Sequence, residues 1–364
     1  MRTSTTLTLY IGRQFLTAIA IVFAVMVLIT FSFDFLELLR RAATHDEVTF
    51  HLALAMALLK LPNLALKLMP FAALFGTMLA LARLTRSQEL VATRAAGVSV
   101  WQFLMPGLLL AALLGTLDVT LFNPVAAAMV SRYDRLEARY FHGQSSLLAV
   151  SDSGLWLRQA DPSGQSVVHA LRVSRQGTEL GDVTIFLYAG VDRFTGRIDA
   201  ADARLEPGYW QIKDALITGP NRPARFVANY RMPTSLTLAQ IQDSFASPDS
   251  LSFWQLPTFI ANLQAAGFSA VRHRLHWQSV LSTPLLLIAM VLIAATFSLR
   301  LTRRGGTGYM LAGGVMTGFV LYFMSDVVAA LGIAGTIPVI MAAWTPAGVC
   351  ALLGVTTLLY LEDG

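Results

Sequence analysis

Glu89 is the lone carboxylate in a short polar stretch, Arg83-Leu-Thr-Arg-Ser-Gln-Glu-Leu-Val-Ala-Thr-Arg-Ala-Ala-Gly97. The pattern predicts one amphipathic helix over about 83–97, closed by Gly97 at its C-terminal end. Leu84, Val91 and Ala95 fall near one face, with Arg86 and Glu89 elsewhere. A helix of this kind suits docking into a groove on a partner protein; a solvated connector is the plainer alternative. Arginines form a second group. Arg40 and Arg41 follow the first apolar run, and Arg132, Arg135 and Arg139 share one face of a predicted helix at i, i+3 and i+7. Guanidinium groups clamp phosphate bidentately, although long cationic side chains also anchor helices at a membrane surface. His273 and His276 stand three apart beside Trp277, a spacing open to a metal pair or to interfacial anchoring. No Gly-x-x-x-x-Gly-Lys-Ser/Thr phosphate loop, no His-Glu-x-x-His and no convergent Ser/His/Asp set occurs. Cys350 is the one cysteine, so neither a disulfide framework nor a cysteine metal site is expected. The chain reads as a non-enzyme without a metal or cofactor of its own.

What must hold these residues is a membrane. The stretches 15–33, 95–117, 277–299, 305–325 and 327–361 contain no Asp, Glu, Lys or Arg. A helix needs about 20 apolar residues to cross hydrocarbon. Hydrophobic residues make up 55% of the chain and charged residues 13%, with a mean hydropathy of +0.58, away from a soluble average. Six spans are expected, near 11–36, 52–82, 97–122, 275–299, 306–330 and 337–361. The first apolar run is too long for the core of a cleaved signal peptide and reads as a retained helix. Arg2, Arg13, Arg83, Arg86, Arg94, Arg300, Arg303 and Arg304 gather on one side. By the positive-inside rule that side is cytoplasmic. Both termini are then cytoplasmic and the insert faces the periplasm or the exterior.

The expected organisation is three spans with the short polar helix (1–123), an insert (124–271) and three further spans (272–364). The insert carries 13 of the 27 basic and 13 of the 22 acidic residues. Its segments Gly154–Arg158, Val167–Val173, Val183–Tyr188, Tyr209–Lys213 and Ala224–Tyr230 are short, β-branched or aromatic, and often alternating. Asp-Pro, Gly-Asp, Thr-Gly and Gly-Pro pairs read as turns between them. Five or more such strands predict an all-β sandwich, jellyroll or half-open barrel. Helices are expected at Pro124–Phe141 and Ser252–Ala266. On alternation, Leu155, Leu157, Ile185, Leu187 and Phe226 are the inward-facing candidates. Asp118 and Asp326 are acids near the outer ends of their spans, where pairing with Lys60, Lys67 or Arg41 competes with a functional role. Gly314-Val-Met-Thr-Gly318 offers a small-xxx-small face for close helix approach.

Order and spacing of several motifs resemble the LptF/LptG family, the permeases of the lipopolysaccharide export ABC transporter. These are Tyr10-Ile-Gly-Arg13 opening the first span, Ser87-Gln-Glu-Leu-Val91 with Ala96-Gly97, Gly154-Leu-Trp156, and Arg272-His-Arg-Leu275 with Pro284. The likeness covers nearly the full length. It implies a bacterial inner-membrane subunit with a periplasmic β-jellyroll. It also implies pairing with an LptF-like permease, with an LptB ATPase dimer that holds ATP and Mg, and with LptC. By the resemblance, Glu89, with Arg86 and Leu90, engages the ATPase: a carboxylate at an apolar docking surface can pair with a partner arginine and transmit force. Arg40, Arg41, Arg132, Arg135 and Arg139 would meet lipid phosphates, and Leu155, Leu157, Ile185, Leu187 and Phe226 the acyl chains. Gly314 and Gly318 would line a lateral gate, unless they pack within the chain. Asp34 departs from the pattern, since relatives often carry Lys there and an acid repels phosphate. The sister permease of the same family is one alternative, and a membrane scaffold or sensor with a β domain is the alternative from another class.

Overall fold

The computed structural model describes residues 5–44, 48–141, 155–161, 164–173, 179–189, 193–220, 222–234, 247–265, 269–301 and 307–363. In chain order come α1 (Thr5–Ala42), α2 (Phe50–Arg86), α3 (Glu89–Ala95) and α4 (Val100–Leu117). A π turn (Asp118–Phe122) leads into α5 (Asn123–Tyr140). Six strands follow: β1 (Leu155–Asp161), β2 (Gly164–Val173), β3 (Glu179–Ala189), β4 (Arg193–Glu206), β5 (Tyr209–Gly219) and β6 (Arg222–Pro233). Four helices close the chain: α6 (Leu256–Ala265), α7 (Val271–Leu301), α8 (Thr307–Ile333) and α9 (Val339–Asp363). Among the described residues, six helical stretches are long and apolar enough to span a membrane. With the β insert they give the expected class: a membrane helical protein carrying an inserted β domain.

Local sequence explains where these helices start. Thr49 caps α2 by accepting a hydrogen bond from the Leu52 N–H. Ser99 and Gln102 form a reciprocal capping box at the start of α4. The third span is one residue run longer than its apolar stretch, because the π turn carries the helix on into α5 without a break.

The chain forms two compact units, one of residues 1–130, 252–254 and 271–364, the other of residues 131–251 and 255–270. The membrane unit packs around Phe15, Leu74, Met78, Leu81, Leu104, Leu287 and Met290, all 2% exposed or less. Two helix crossings are so close that only glycine fits. A Cβ on Gly76 would lie 2.5 Å from the Ile19 Cα, and one on Gly115 would lie 2.5 Å from the Pro284 Cα. Polar bonds join α7 to α9: Trp344 Nε1 donates to Gln278 Oε1 (3.0 Å) and Ser282 Oγ to the Ala343 carbonyl (3.2 Å). Small residues and interhelical hydrogen bonds take the place of a hydrophobic driving force that lipid cannot supply.

In the other unit the strands form one antiparallel sheet in the order β1-β2-β3-β4-β5-β6. The sheet curls. Gln159 of β1 is 1% exposed; its Nε2 donates to the carbonyl of Pro233, at the end of β6 (3.4 Å). Its Oε1 accepts from Trp210 Nε1 of β5 (3.4 Å) and from Thr234 Oγ1 (2.7 Å). One buried amide therefore ties the first strand to the last, the geometry of a half-open barrel. A crease crosses the sheet where pairing skips Asp182, Ala201, Asp214 and Ala228. Asp182 and Asp214 have φ of 54° and 53°, left-handed values that Asp tolerates better than most residues. Across the crease the buried positions jump by three, from Leu180 to Val183 and from Ile212 to Ala215. That odd step keeps both halves burying the same face while the sheet bends. The expected Gly-Asp and Thr-Gly turns are therefore corrected: Gly181-Asp182 lies inside β3 and Thr195-Gly196 inside β4.

Candidate functional site

The polar connector between the second and third spans divides in two. α2 runs on through Arg83 and Arg86 and stops at Ser87, whose N–H bonds the Arg83 carbonyl (2.9 Å). Gln88 takes a left-handed φ of 60°, and α3 restarts at Glu89. The single helix over 83–97 is thus corrected to the end of α2 plus a separate seven-residue helix. Gly97, at φ 81°, ends that helix one residue beyond its C-cap, Ala96, as the expected stop signal requires. The faces also differ from expectation. Leu84 and Leu90 are 2% and 6% exposed and belong to the membrane unit's core. Leu90 is consequently corrected from a partner contact to an internal anchor that fixes α3 against its own spans. Val91 is 53% exposed, and Ala92, Arg94 and Ala95 are exposed beside it. Glu89 is half-buried, and among the described residues its carboxylate forms no ion pair. Arg86 is exposed. The surface left for a partner is a small apolar patch of Val91, Ala92 and Ala95, edged by one carboxylate and one guanidinium.

At the far end of α1 every cation meets a carboxylate. Glu37 Oε1 accepts from Arg40 (2.9 Å) and from Arg41 (3.4 Å), and the three side chains are widely exposed. Deeper in the same helix Asp34 pairs with Lys60 of α2. The expectation that Asp34 would repel an anion needs this addition: its charge is balanced by a lysine 26 residues away in sequence. Pairing of Lys60 with Asp118 or Asp326 gives way to the same contact. Asp118 lies in the π turn, 7% exposed, with Oδ1 unbonded among the described residues; Asp326 is exposed. In the other unit Arg132, Arg135 and Arg139 are exposed on α5. Arg135 donates to the Ser131 carbonyl (3.1 Å) and Arg139 sits 5.5 Å from the Tyr140 ring centre.

Inside the curled sheet Ile185 is 1% exposed and Leu187 packs on the same cluster. Leu155 and Leu157 pair in register with Ala170 and Val168; the placement of their side chains lies outside the described residues. Phe226 is a correction. It is 63% exposed and pairs with Leu216, itself 40% exposed, on the outer face. Alternation counted from Tyr230 puts Phe226 inside, but the crease at Ala228 reverses the parity, so Val227 points in instead.

Gly314 and Gly318 face α2 of the same chain. A Cβ at Gly314 would meet Met78 Sδ at 2.6 Å, and one at Gly318 would meet the Phe71 ring at 3.3 Å. Their role is internal packing, which corrects a gate built from this face. Val315, Met316, Phe319, Val320 and Phe323 form the exposed side of α8. His273 is buried and His276 half-buried. Among the described residues no three His, Cys, Asp or Glu side chains gather as a metal site.

Sequence reasoning missed the pairing of Lys60 with Asp34 and the π turn. The pairing carries no one-dimensional signal, whereas Pro124, which removes a helical donor, is the signal that would have marked the turn.

The architecture agrees with the comparisons. The sequence model described as "Lipopolysaccharide export system permease LptF/LptG" matches residues 9–360. The chain is 26% identical over 360 residues to "Lipopolysaccharide export system permease protein LptG" of Escherichia coli (strain K12), covering 96% of this chain and 97% of that protein. To the protein of the same description in Haemophilus influenzae (strain ATCC 51907 / DSM 11121 / KW20 / Rd) it is 23% identical over 352 residues, 94% of each. The match runs through all six spans and the β insert, and the chain belongs to the lipopolysaccharide export permease family LptF/LptG.

Proposed function

We propose that this permease is the LptG-type half of the exporter, and that it converts the ATPase cycle of a cytoplasmic partner into lipid movement through α3. The observation that carries this is the surface of α3. A helix fixed from behind by Leu90 presents Val91, Ala95 and the carboxylate of Glu89 outward, and such a surface fits a groove lined with apolar groups and one arginine. The LptG descriptions of both relatives support the subunit assignment. Arg83, Arg86 and Arg94 around α3 support a cytoplasmic placement, and with it cytoplasmic termini and a periplasmic insert. The partners on this reading are an LptF-like permease, an LptB dimer holding ATP and Mg, and LptC at the insert. Arg40, Arg41, Arg132, Arg135 and Arg139 receive the phosphates of lipopolysaccharide, with Glu37 as the counterion that an arriving phosphate displaces from Arg40 and Arg41. The face carrying Ile185 and Leu187 receives acyl chains once the curl opens.

The test is a reconstituted complex of both permeases, ATPase and LptC in vesicles. Glu89→Ala and Val91→Asp should each abolish ATP-dependent lipopolysaccharide release, although Val91 is 53% exposed. Undiminished release in both variants refutes α3 as the coupling surface.

A further inference from the structure

The residues Ser252–Trp254 belong to the membrane unit, yet the chain on both sides of them belongs to the other unit. Their dock on the third span is specific. Pro124 has no N–H, so the Thr120 carbonyl four residues earlier lacks its helical donor. The π turn, in which Asn123 N–H bonds the Asp118 carbonyl, loosens the same stretch. Trp254 Nε1 donates to that Thr120 carbonyl (3.4 Å). Asn123, 9% exposed, accepts the Phe253 N–H on its Oδ1 (2.8 Å). The Phe253 ring then stacks on Trp277 of α7, with centres 6.1 Å apart, and Trp254 meets it edge-on at 5.2 Å. Phe253 thus touches both the span that leads into the insert and the span that leads out of it, and Trp254 braces it against the first.

We propose that Ser252–Trp254 is a releasable clasp on the π turn, and that Asn123, Phe253 and Trp254 are positioning residues for lipid transport. A shift of α4 against α7 cannot satisfy the Thr120 and Asn123 bonds and the Trp277 stack together. It must either open the clasp or pull on Leu251 and Gln255, the first insert residues on either side. Trp254 is 62% exposed, so the clasp lies at a surface from which it can lift. The π turn provides a stretch of helix that can rewind when it leaves. The transport readout below rests on the permease function; the exchange readout does not.

Hydrogen exchange of the Phe253 amide, read by mass spectrometry with residue-level fragmentation on the reconstituted complex, tests the clasp. Asn123→Ala should speed exchange roughly tenfold, the size of one lost hydrogen bond. Asn123→Asp, which retains the acceptor oxygen, should restore protection. Trp254→Phe keeps the ring, loses the indole donor, and should also speed exchange. In the same vesicles Asn123→Ala and Trp254→Phe should lower lipopolysaccharide release several-fold per ATP hydrolysed, with Asn123→Asp close to the unmodified complex. Unchanged exchange in Asn123→Ala and Trp254→Phe overturns the clasp. Faster exchange with full release per ATP overturns its positioning role. A complex that releases no lipid even when unmodified counts against the permease function, and the exchange pattern still decides for or against the clasp.

Discussion

Removing either partner of the Asp34–Lys60 pair should destabilise the membrane unit, and removing both should not. The pair bridges α1 and α2, with Lys60 34% and Asp34 19% exposed. Stranding one member of a fully buried pair costs about 3–5 kcal/mol. Partial exposure lowers that figure, and unequally. Lys60→Met leaves the less exposed Asp34 without a counterion and should cost about 2 kcal/mol, a roughly 25-fold shift in the unfolding equilibrium. Asp34→Asn leaves Lys60, whose long stem can carry its ammonium toward water, and should cost about 1 kcal/mol. The double variant should lie within about 1 kcal/mol of the parent, giving a coupling energy of roughly 2–4 kcal/mol. Unfolding of the purified chain in mixed detergent micelles, followed by helical circular dichroism against dodecyl sulfate fraction, measures all four corners of the cycle. Additive single effects would show that the two side chains do not sense each other, and the assignment of Lys60 as the counterion of Asp34 would fall.

Other predictions follow from single contacts. Gln159→Leu removes the acceptor of Trp210 Nε1 inside the curled sheet and should cost about 1–3 kcal/mol in thermal unfolding of the insert, with Gln159→Glu milder because an acceptor remains. Gly115→Val drives a side chain into the Pro284 backbone, which cannot step aside, and should cost at least about 1–3 kcal/mol; a fully stable variant would mean the crossing is looser than 2.5 Å implies. Leu90→Ala should destabilise the membrane unit by about 2–4 kcal/mol, whereas Val91→Ala should leave stability within about 0.5 kcal/mol. With Cys350 replaced by Ser, a cysteine at Asn229 should react with an impermeant maleimide on intact spheroplasts and one at Ser87 should not; equal labelling would reject the proposed orientation.

Six spans were legible because a charge-free apolar run is a signal carried by composition alone, and the arginine-rich connectors mark their ends. The β insert was legible for a similar reason, since Val167–Val173 and Val183–Tyr188 alternate visibly. β4 was not. Its sequence, Arg193-Phe-Thr-Gly-Arg-Ile-Asp-Ala-Ala-Asp-Ala-Arg-Leu-Glu206, is polar enough to read as a connection, and only its neighbours on both sides hold it extended. Phe226 was misplaced because period-two counting has no term for a crease that reverses parity part-way along a strand. The break at Gln88 was hidden because Gln rarely takes a left-handed φ, so nothing in the pattern separated α3 from α2. That break in turn put Leu90 on the wrong side. The Asp34–Lys60 pair and the Gly76 and Gly115 crossings join residues far apart in sequence, where helical periodicity gives no register between one span and the next.

The central claim is that ATP hydrolysis, coupled through α3, delivers lipopolysaccharide to the inner face of the curled sheet. A photo-crosslinking amino acid at Leu187, with one at Phe226 as the outward control, measures that arrival in the reconstituted complex. Crosslinks to lipopolysaccharide should accumulate at position 187 only with ATP, stay near background at position 226, and vanish at 187 when Glu89→Ala is introduced. Equal capture at 187 and 226, or capture at 187 that ignores both ATP and Glu89, would contradict the account.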